Sequence, residues 1–198
     1  MAHQTKLDDF EFDWDWVEYA QLDDQTPVRL RLVRPEHREK LAEGFEKMSL
    51  ESRHPRFFST RSRLTDSDPD YLTDVDQLHP VALGAEIDGG PRDGEGIGVA
   101  RYIQLGEEST TAEAAFTVID EFQGRGLGKL LFARLSSAGR ERGIETFRAT
   151  HFRDNESMRK LLLGGADSPR TVDTDGSVVT VDISIVEDAP DGAGDGSM

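Results

Sequence analysis

Along residues 110–118, apolar and polar residues alternate from Thr111 onward, broken only by the small Ala115. Ala112, Ala114, Phe116 and Val118 fall on one side of an extended chain, and Thr111, Glu113, Ala115 and Thr117 on the other. The period then changes. Lys129-Leu130-Leu131-Phe132-Ala133-Arg134-Leu135 opens an amphipathic helix predicted over 125–142, and a strand over 145–151 and a helix over 155–163 follow. Upstream, residues 28–33 alternate with arginines and predict a first strand. Pro35 suits the first turn of a helix continuing over 36–47. Short helices are predicted over 49–56 and, from the start signal Asp68-Pro69, to about Asp76. Strands over 80–87 and 97–104 flank a Gly- and Asp-rich turn, and residues 171–173 and 177–186 form a closing hairpin around Thr174-Asp175-Gly176. Ahead of all this, Phe10, Phe12, Trp14 and Trp16 alternate with Glu11, Asp13 and Asp15, a period suited to a half-buried strand or an extended arm. Such an arm either packs on its own domain or serves as a subunit contact or a lid over a cleft.

The pattern is α+β, with a mixed and largely antiparallel sheet. Only the strand-helix-strand unit 110–151 requires a parallel pair. Three parts are expected: an acidic aromatic arm over 1–25, one folded domain over 26–186, and a small, acidic, disordered tail over 187–198.

Charge and composition narrow the function. The 198 residues carry 23 Lys and Arg against 39 Asp and Glu, a net charge of −16, which argues against a nucleic-acid partner. Arginine outnumbers lysine, and the acidic surface reads as halophile-like, solvated at molar salt where the Debye length is about 3 Å. A cationic substrate is the competing explanation. There is no cysteine, so disulfides, thiolate metal sites and a cysteine nucleophile are ruled out. His37, His54 and His79 lack metal-ligand spacing. No apolar stretch could span a bilayer and no signal peptide is evident, so a soluble cytoplasmic protein without a membrane partner is expected.

Between the strand and the helix lies Gln123-Gly124-Arg125-Gly126-Leu127-Gly128. A glycine turn at a helix start offers free N–H groups and the positive end of a helix dipole, which together bind anions. The dinucleotide fingerprint G-x-G-x-x-G is not met, since the glycines recur every second residue. The P-loop is not met either, since Leu130 stands where a hydroxyl residue should. What remains, Q-x-x-G-x-G, resembles the acyl-CoA diphosphate loop of the GCN5-related N-acetyltransferase (GNAT) superfamily. The order of elements over 28–185 is similar to that family throughout. So is Asn155-Glu156-Ser157-Met158, where the family places an Asn beside the cofactor. Ser49-Leu50-Glu51-Ser52, Arg56-Phe57-Phe58, Val99-Ala100-Arg101-Tyr102 and Ala112-Glu113-Ala114-Ala115-Phe116 look like the acetyltransferase domain of bacterial protein-lysine acetyltransferases, which are known for modifying acyl-CoA synthetases.

The resemblance implies helices on both sheet faces and acetyl-CoA as co-substrate, with no metal. It also implies Glu113 as the base, and Phe116 and Val118 as backbone contacts to the pantetheine arm. Gln123, Gly124, Arg125, Gly126, Leu127, Gly128 and Lys129 would hold the diphosphate, with Asn155 as a helix cap, a pantetheine contact, or both. From Glu113 to Val118 is five steps, roughly 16 Å at 3.3 Å per residue, a suitable reach for an extended pantetheine. The acceptor would be an amine, on a protein lysine or a small molecule; a non-catalytic acyl-CoA sensor would need the loop but no base. One departure stands out. Many relatives place a tyrosine acid in the helix after the Asn, where this chain has Leu161 and Leu162; Tyr102 and His151 are the nearest substitutes. A basic cluster, Arg53, His54, Arg56, Arg61 and Arg63, could receive an acidic acceptor or the cofactor's ribose phosphate, or pair with the protein's own acidic surface.

Overall fold

Eight strands build one sheet in the computed structural model, which describes residues 10–47, 80–164 and 169–186. They are β1 (Val17–Gln21), β2 (Pro27–Leu32), β3 (Pro80–Ile87), β4 (Gly96–Gln104), β5 (Thr111–Val118), β6 (Thr146–Phe152), β7 (Arg170–Asp175) and β8 (Val178–Ser184), in the order β1-β2-β3-β4-β5-β6-β8-β7. Every pairing is antiparallel except β5 with β6. That exception is the pair the intervening helix demands, because a parallel neighbour needs a crossover.

Register sorts the strands' side chains onto two unlike faces. Leu30, Leu83, Ala100, Tyr102, Ala114, Phe116, Phe147 and Ile183 lie on the first and are buried. Helix α2 (Leu127–Glu141) covers this face with Leu127, Leu131, Phe132 and Leu135, and α3 (Glu156–Gly164) adds Met158 and Leu162. Gly98 allows the start of α2 to settle close to β4, since a Cβ there would lie 3.2 Å from both Leu127 and Leu131. At its far end α2 turns into β6 through bonds from Gly143 N–H to Arg140 and from Ile144 N–H to Gly139, at 3.1 and 2.9 Å. The second face is sparser. Leu41 of α1 (Arg38–Glu46) meets Val33, Ala82 and Val99 there. Helices therefore flank both sides of the sheet. Nearby Glu86, 5% exposed, bonds to Arg29, Arg31 and Lys40. Burial alone would raise its pKa, but the hydrogen bonds from Arg31 and Arg29 prevail and hold it below the usual carboxylate range.

Three sequence expectations need adjustment. The aromatic run 10–16 is a set of turns and the strand begins only at Val17, because Asp13 Oδ1 accepts the N–H groups of Asp15 and Trp16 at 2.8 and 2.9 Å. Helix α2 starts at Leu127, not 125, because Gly126 precedes it in a left-handed conformation. The β7–β8 turn is the two residues Gly176-Ser177 rather than Thr174-Asp175-Gly176, because β7 runs on to Asp175. The short helices over 49–56 and 68–76, the basic cluster of Arg53, His54, Arg56, Arg61 and Arg63, and the tail 187–198 lie outside the described residues.

Within the arm, Phe12 is buried beside Trp16, with ring centroids 4.6 Å apart. Arg142, beyond the end of α2, donates to Phe12 O at 2.7 Å and stacks over Phe10 at 4.2 Å. Residues 10–16 thus pack on their own domain and on the α2 side of the sheet, away from the face that carries Glu113.

Candidate active site

β5 and β6 run together only briefly. Their register covers Thr111 with Thr146, Ala112 with Phe147 and Glu113 with Arg148, and ends there, although β5 continues to Val118 and β6 to Phe152. Beyond that last rung the two strands are no longer paired, which leaves a gap between their edges. Which backbone groups face it follows from parity. Thr110 O accepts from Glu145 and Thr146 on the β6 side, whereas Thr111 O accepts from Leu105 on the β4 side. Even-numbered residues of β5 therefore direct their polar groups toward β6. Phe116 and Val118 are even, and both lie past the point of separation. The carbonyl of Val118 already accepts from Gln123 Nε2 at 3.2 Å, which ties the strand end to the loop.

The loop closes the far end of the gap. Among the described residues, none of the N–H groups of residues 124–129 has a hydrogen-bond acceptor; the first helical bond is Leu130 N–H to Gly126 O, at 3.1 Å. Six consecutive donors at the positive end of a fifteen-residue helix form a strong anion cradle. The three glycines differ in role. Gly124 and Gly126 have φ of +73° and +87°, where an L side chain is strained, and open space lies over Gly124. Gly128 is ordinary helix with no positive φ; a Cβ there would meet Leu161 at a normal 3.7 Å. Lys129 is exposed.

Arg125 has partners within the protein. Its guanidinium pairs with Asp24 at 2.9 Å and lies 4.9 Å over Phe122. The β1–β2 turn that presents Asp24 also donates Asp23 N–H to Arg125 O, at 3.0 Å, and the Asp23 carboxylate would be 2.9 Å from a Cβ on Gly126. Asp24 is held below the ordinary carboxylate range, first by its bonds from Thr26 and then by Arg125. Sequence reasoning missed this acidic turn because its partners lie about a hundred residues away.

At the other end, Glu113 is half-buried on the second face with Ala115 and Thr117 beside it. Arg148 stands opposite, bound two-pronged by Asp182 at 2.7 and 2.8 Å. Those bonds raise the Arg148 pKa against the effect of burial, and the charges of Asp182 and Glu113 add to the shift. Asn155 caps α3 by accepting Met158 N–H on Oδ1 at 3.0 Å, leaving its amide nitrogen to donate elsewhere. Tyr102 and His151 both lie on the first face, Tyr102 fully buried against Phe147 and His151 with Nδ1 2.8 Å from Phe152 O. Neither shares the face of Glu113. Among the described residues no group of three His, Asp or Glu side chains could hold a metal.

Comparison with known proteins adds to this geometry. The model of the "Acetyltransferase (GNAT) family" matches residues 45–164. The chain is 37% identical over 134 residues to acetyltransferase Pat of Mycolicibacterium smegmatis, covering 67% of this chain and 39% of that protein. It is 32% identical over 148 residues to an acetyltransferase of Pseudomonas aeruginosa, covering 74% of this chain and 76% of that one. Among solved structures, the GNAT domain of S. lividans PAT superposes with a TM-score of 0.73 at 29% identity, covering 85% of this chain and 97% of that one. The chain thus spans well under half the length of the mycobacterial relative.

Proposed function

The chain belongs to the acetyltransferase (GNAT) family, and from that premise we propose that it moves the acetyl group of acetyl-CoA to the side-chain amine of a protein lysine. Transfer proceeds by direct attack within a ternary complex. The observation that carries the reading is the alignment of three features along one gap: six free N–H donors at one end, the open edge of β5 between, and Glu113 at the other. Acetyl-CoA supplies an acyl thioester. The donors of residues 124–129 hold its diphosphate, Lys129 adds positive charge, and the Phe116 and Val118 backbone and the Asn155 amide guide its pantetheine.

A lysine amine has a reference pKa near 10.4, so at neutral pH its proton must be taken before nitrogen can attack. Glu113 accepts that proton, directly or through a water. The C–N bond forms as the C–S bond breaks, and the departing thiolate is a tolerable leaving group without a dedicated acid. The choice of a protein lysine rests on likeness to bacterial acetyltransferases named Pat.

Radiolabelled acetyl-CoA incubated with cell extract tests the reading. Label on particular lysines is expected. Label confined to small molecules would move the acceptor to a small amine, and binding without transfer would make the chain an acyl-CoA sensor. In the same assay Glu113→Gln should keep acetyl-CoA binding and slow transfer at least about tenfold; an unchanged rate removes Glu113 as base.

A further inference from the structure

A charged row crosses three neighbouring strands on the face that carries Glu113. Glu113 in β5 is in register with Arg148 in β6, and Arg148 with Asp182 in β8. Residues opposite one another in register project to the same face, close enough for their side chains to interact. The middle member is fixed. Arg148 gives Nε and Nη2 to the two oxygens of Asp182, an arrangement that locks the guanidinium plane. Its remaining nitrogen, Nη1, makes no hydrogen bond among the described residues and is left for the β5 side, where Glu113 is the facing charge. This rung is also the last before β5 and β6 separate, so the guanidinium stands at the mouth of the gap. Among the described residues, register also brings Arg101 beside this row, paired with Ala115 one step along the same face, and Arg170, opposite Asp182.

We propose that Arg148, clamped by Asp182, is a positioning residue that holds the Glu113 carboxylate at the opening between β5 and β6. A fixed cation one strand away selects the carboxylate orientation that faces the gap. The inference rests on Glu113 being the base.

The test follows transfer from radiolabelled acetyl-CoA, with cell extract as acceptor source, for the intact chain, E113Q, R148Q, R148K, D182N and the E113Q/R148Q pair. Acetyl-CoA affinity is followed by calorimetry and folding by thermal melting. R148Q should lower the rate at saturating acetyl-CoA by about tenfold or more while leaving acetyl-CoA affinity unchanged. R148K should recover part of that loss, D182N should show a milder one, and R148Q should cost nothing further once E113Q is present. A normal rate in R148Q, or the same loss with and without E113Q, overturns the positioning role and leaves the base standing. Undiminished transfer in E113Q removes the base, and this inference with it. Should R148Q fail to fold, R148K and D182N decide: full activity in both overturns the proposal.

Discussion

Three glycines in one short loop separate conformation from contact at the scale of single residues. Gly126 is bound by both, with a left-handed φ and the Asp23 carboxylate over its missing side chain. Gly128 is bound by neither within the protein itself. Alanine there should stabilise the helix start, by up to about 1 kcal/mol, since alanine is the better helix former. If the diphosphate approaches the backbone at this point, the added methyl weakens acetyl-CoA binding all the same. Melting and calorimetry on Gly128→Ala should therefore move in opposite directions. A variant as tight as the original would place the diphosphate away from this residue. The spacing of these glycines was legible in the sequence, but their different roles were not, because those depend on Asp23 and Leu161 reaching the loop from elsewhere. Arg148 and Asp182, 34 residues apart, were hidden for the same reason. Each is an unremarkable strand residue until register makes them neighbours.

At the scale of elements, β2 through β6 were legible to within a residue or two. β2, β5 and β6 bury one face and leave the other partly exposed, so their alternation shows, whereas β3 and β4 are buried on both faces and read as apolar runs between turn residues. Alternation misled only where a side chain captured the backbone, as Asp13 does ahead of β1. The β1–β2 turn has a consequence for the loop it touches. Asp24 neutralises Arg125, and both turn carboxylates sit near a site built to receive negative charge. Asp24→Asn releases the guanidinium and removes a repulsion, so acetyl-CoA should bind several-fold tighter, most clearly at low salt. The exposed pair itself is worth no more than about 1 kcal/mol, so stability should barely change. Calorimetry at two ionic strengths checks this; weaker binding would make the turn a brace that the loop requires.

For the whole molecule, the large acidic excess makes paired carboxylates the determinants of acid stability. The bond from Arg92 pulls Glu95 down to about 2, with Lys47 assisting, and Arg31 and Arg29 hold Glu86 low. A folded-state pKa below the unfolded value, about 4.3 for glutamate, gives stability that is complete above that pH and is lost as the pH falls through the folded value. Melting temperature should accordingly be flat from neutrality to about pH 5 and fall steeply between about pH 4 and pH 2. Glu86→Gln should flatten part of that slope. It should also cost about 1–2 kcal/mol at neutral pH, since the partly exposed Arg31 and Lys40 lose their shared carboxylate while Arg29 keeps Asp88. A pH profile identical to that of the unaltered chain would show that Glu86 does not contribute.

The most direct test of the account is a calorimetric comparison of acetyl-CoA with S-acetyl-pantetheine, which carries the same thioester and arm but no diphosphate. If residues 124–129 hold the diphosphate, acetyl-CoA binds and the truncated thioester binds at least about tenfold more weakly, the loss expected from a single charge-assisted hydrogen bond. Equal affinity for the two, or no heat with acetyl-CoA at any ionic strength, contradicts it.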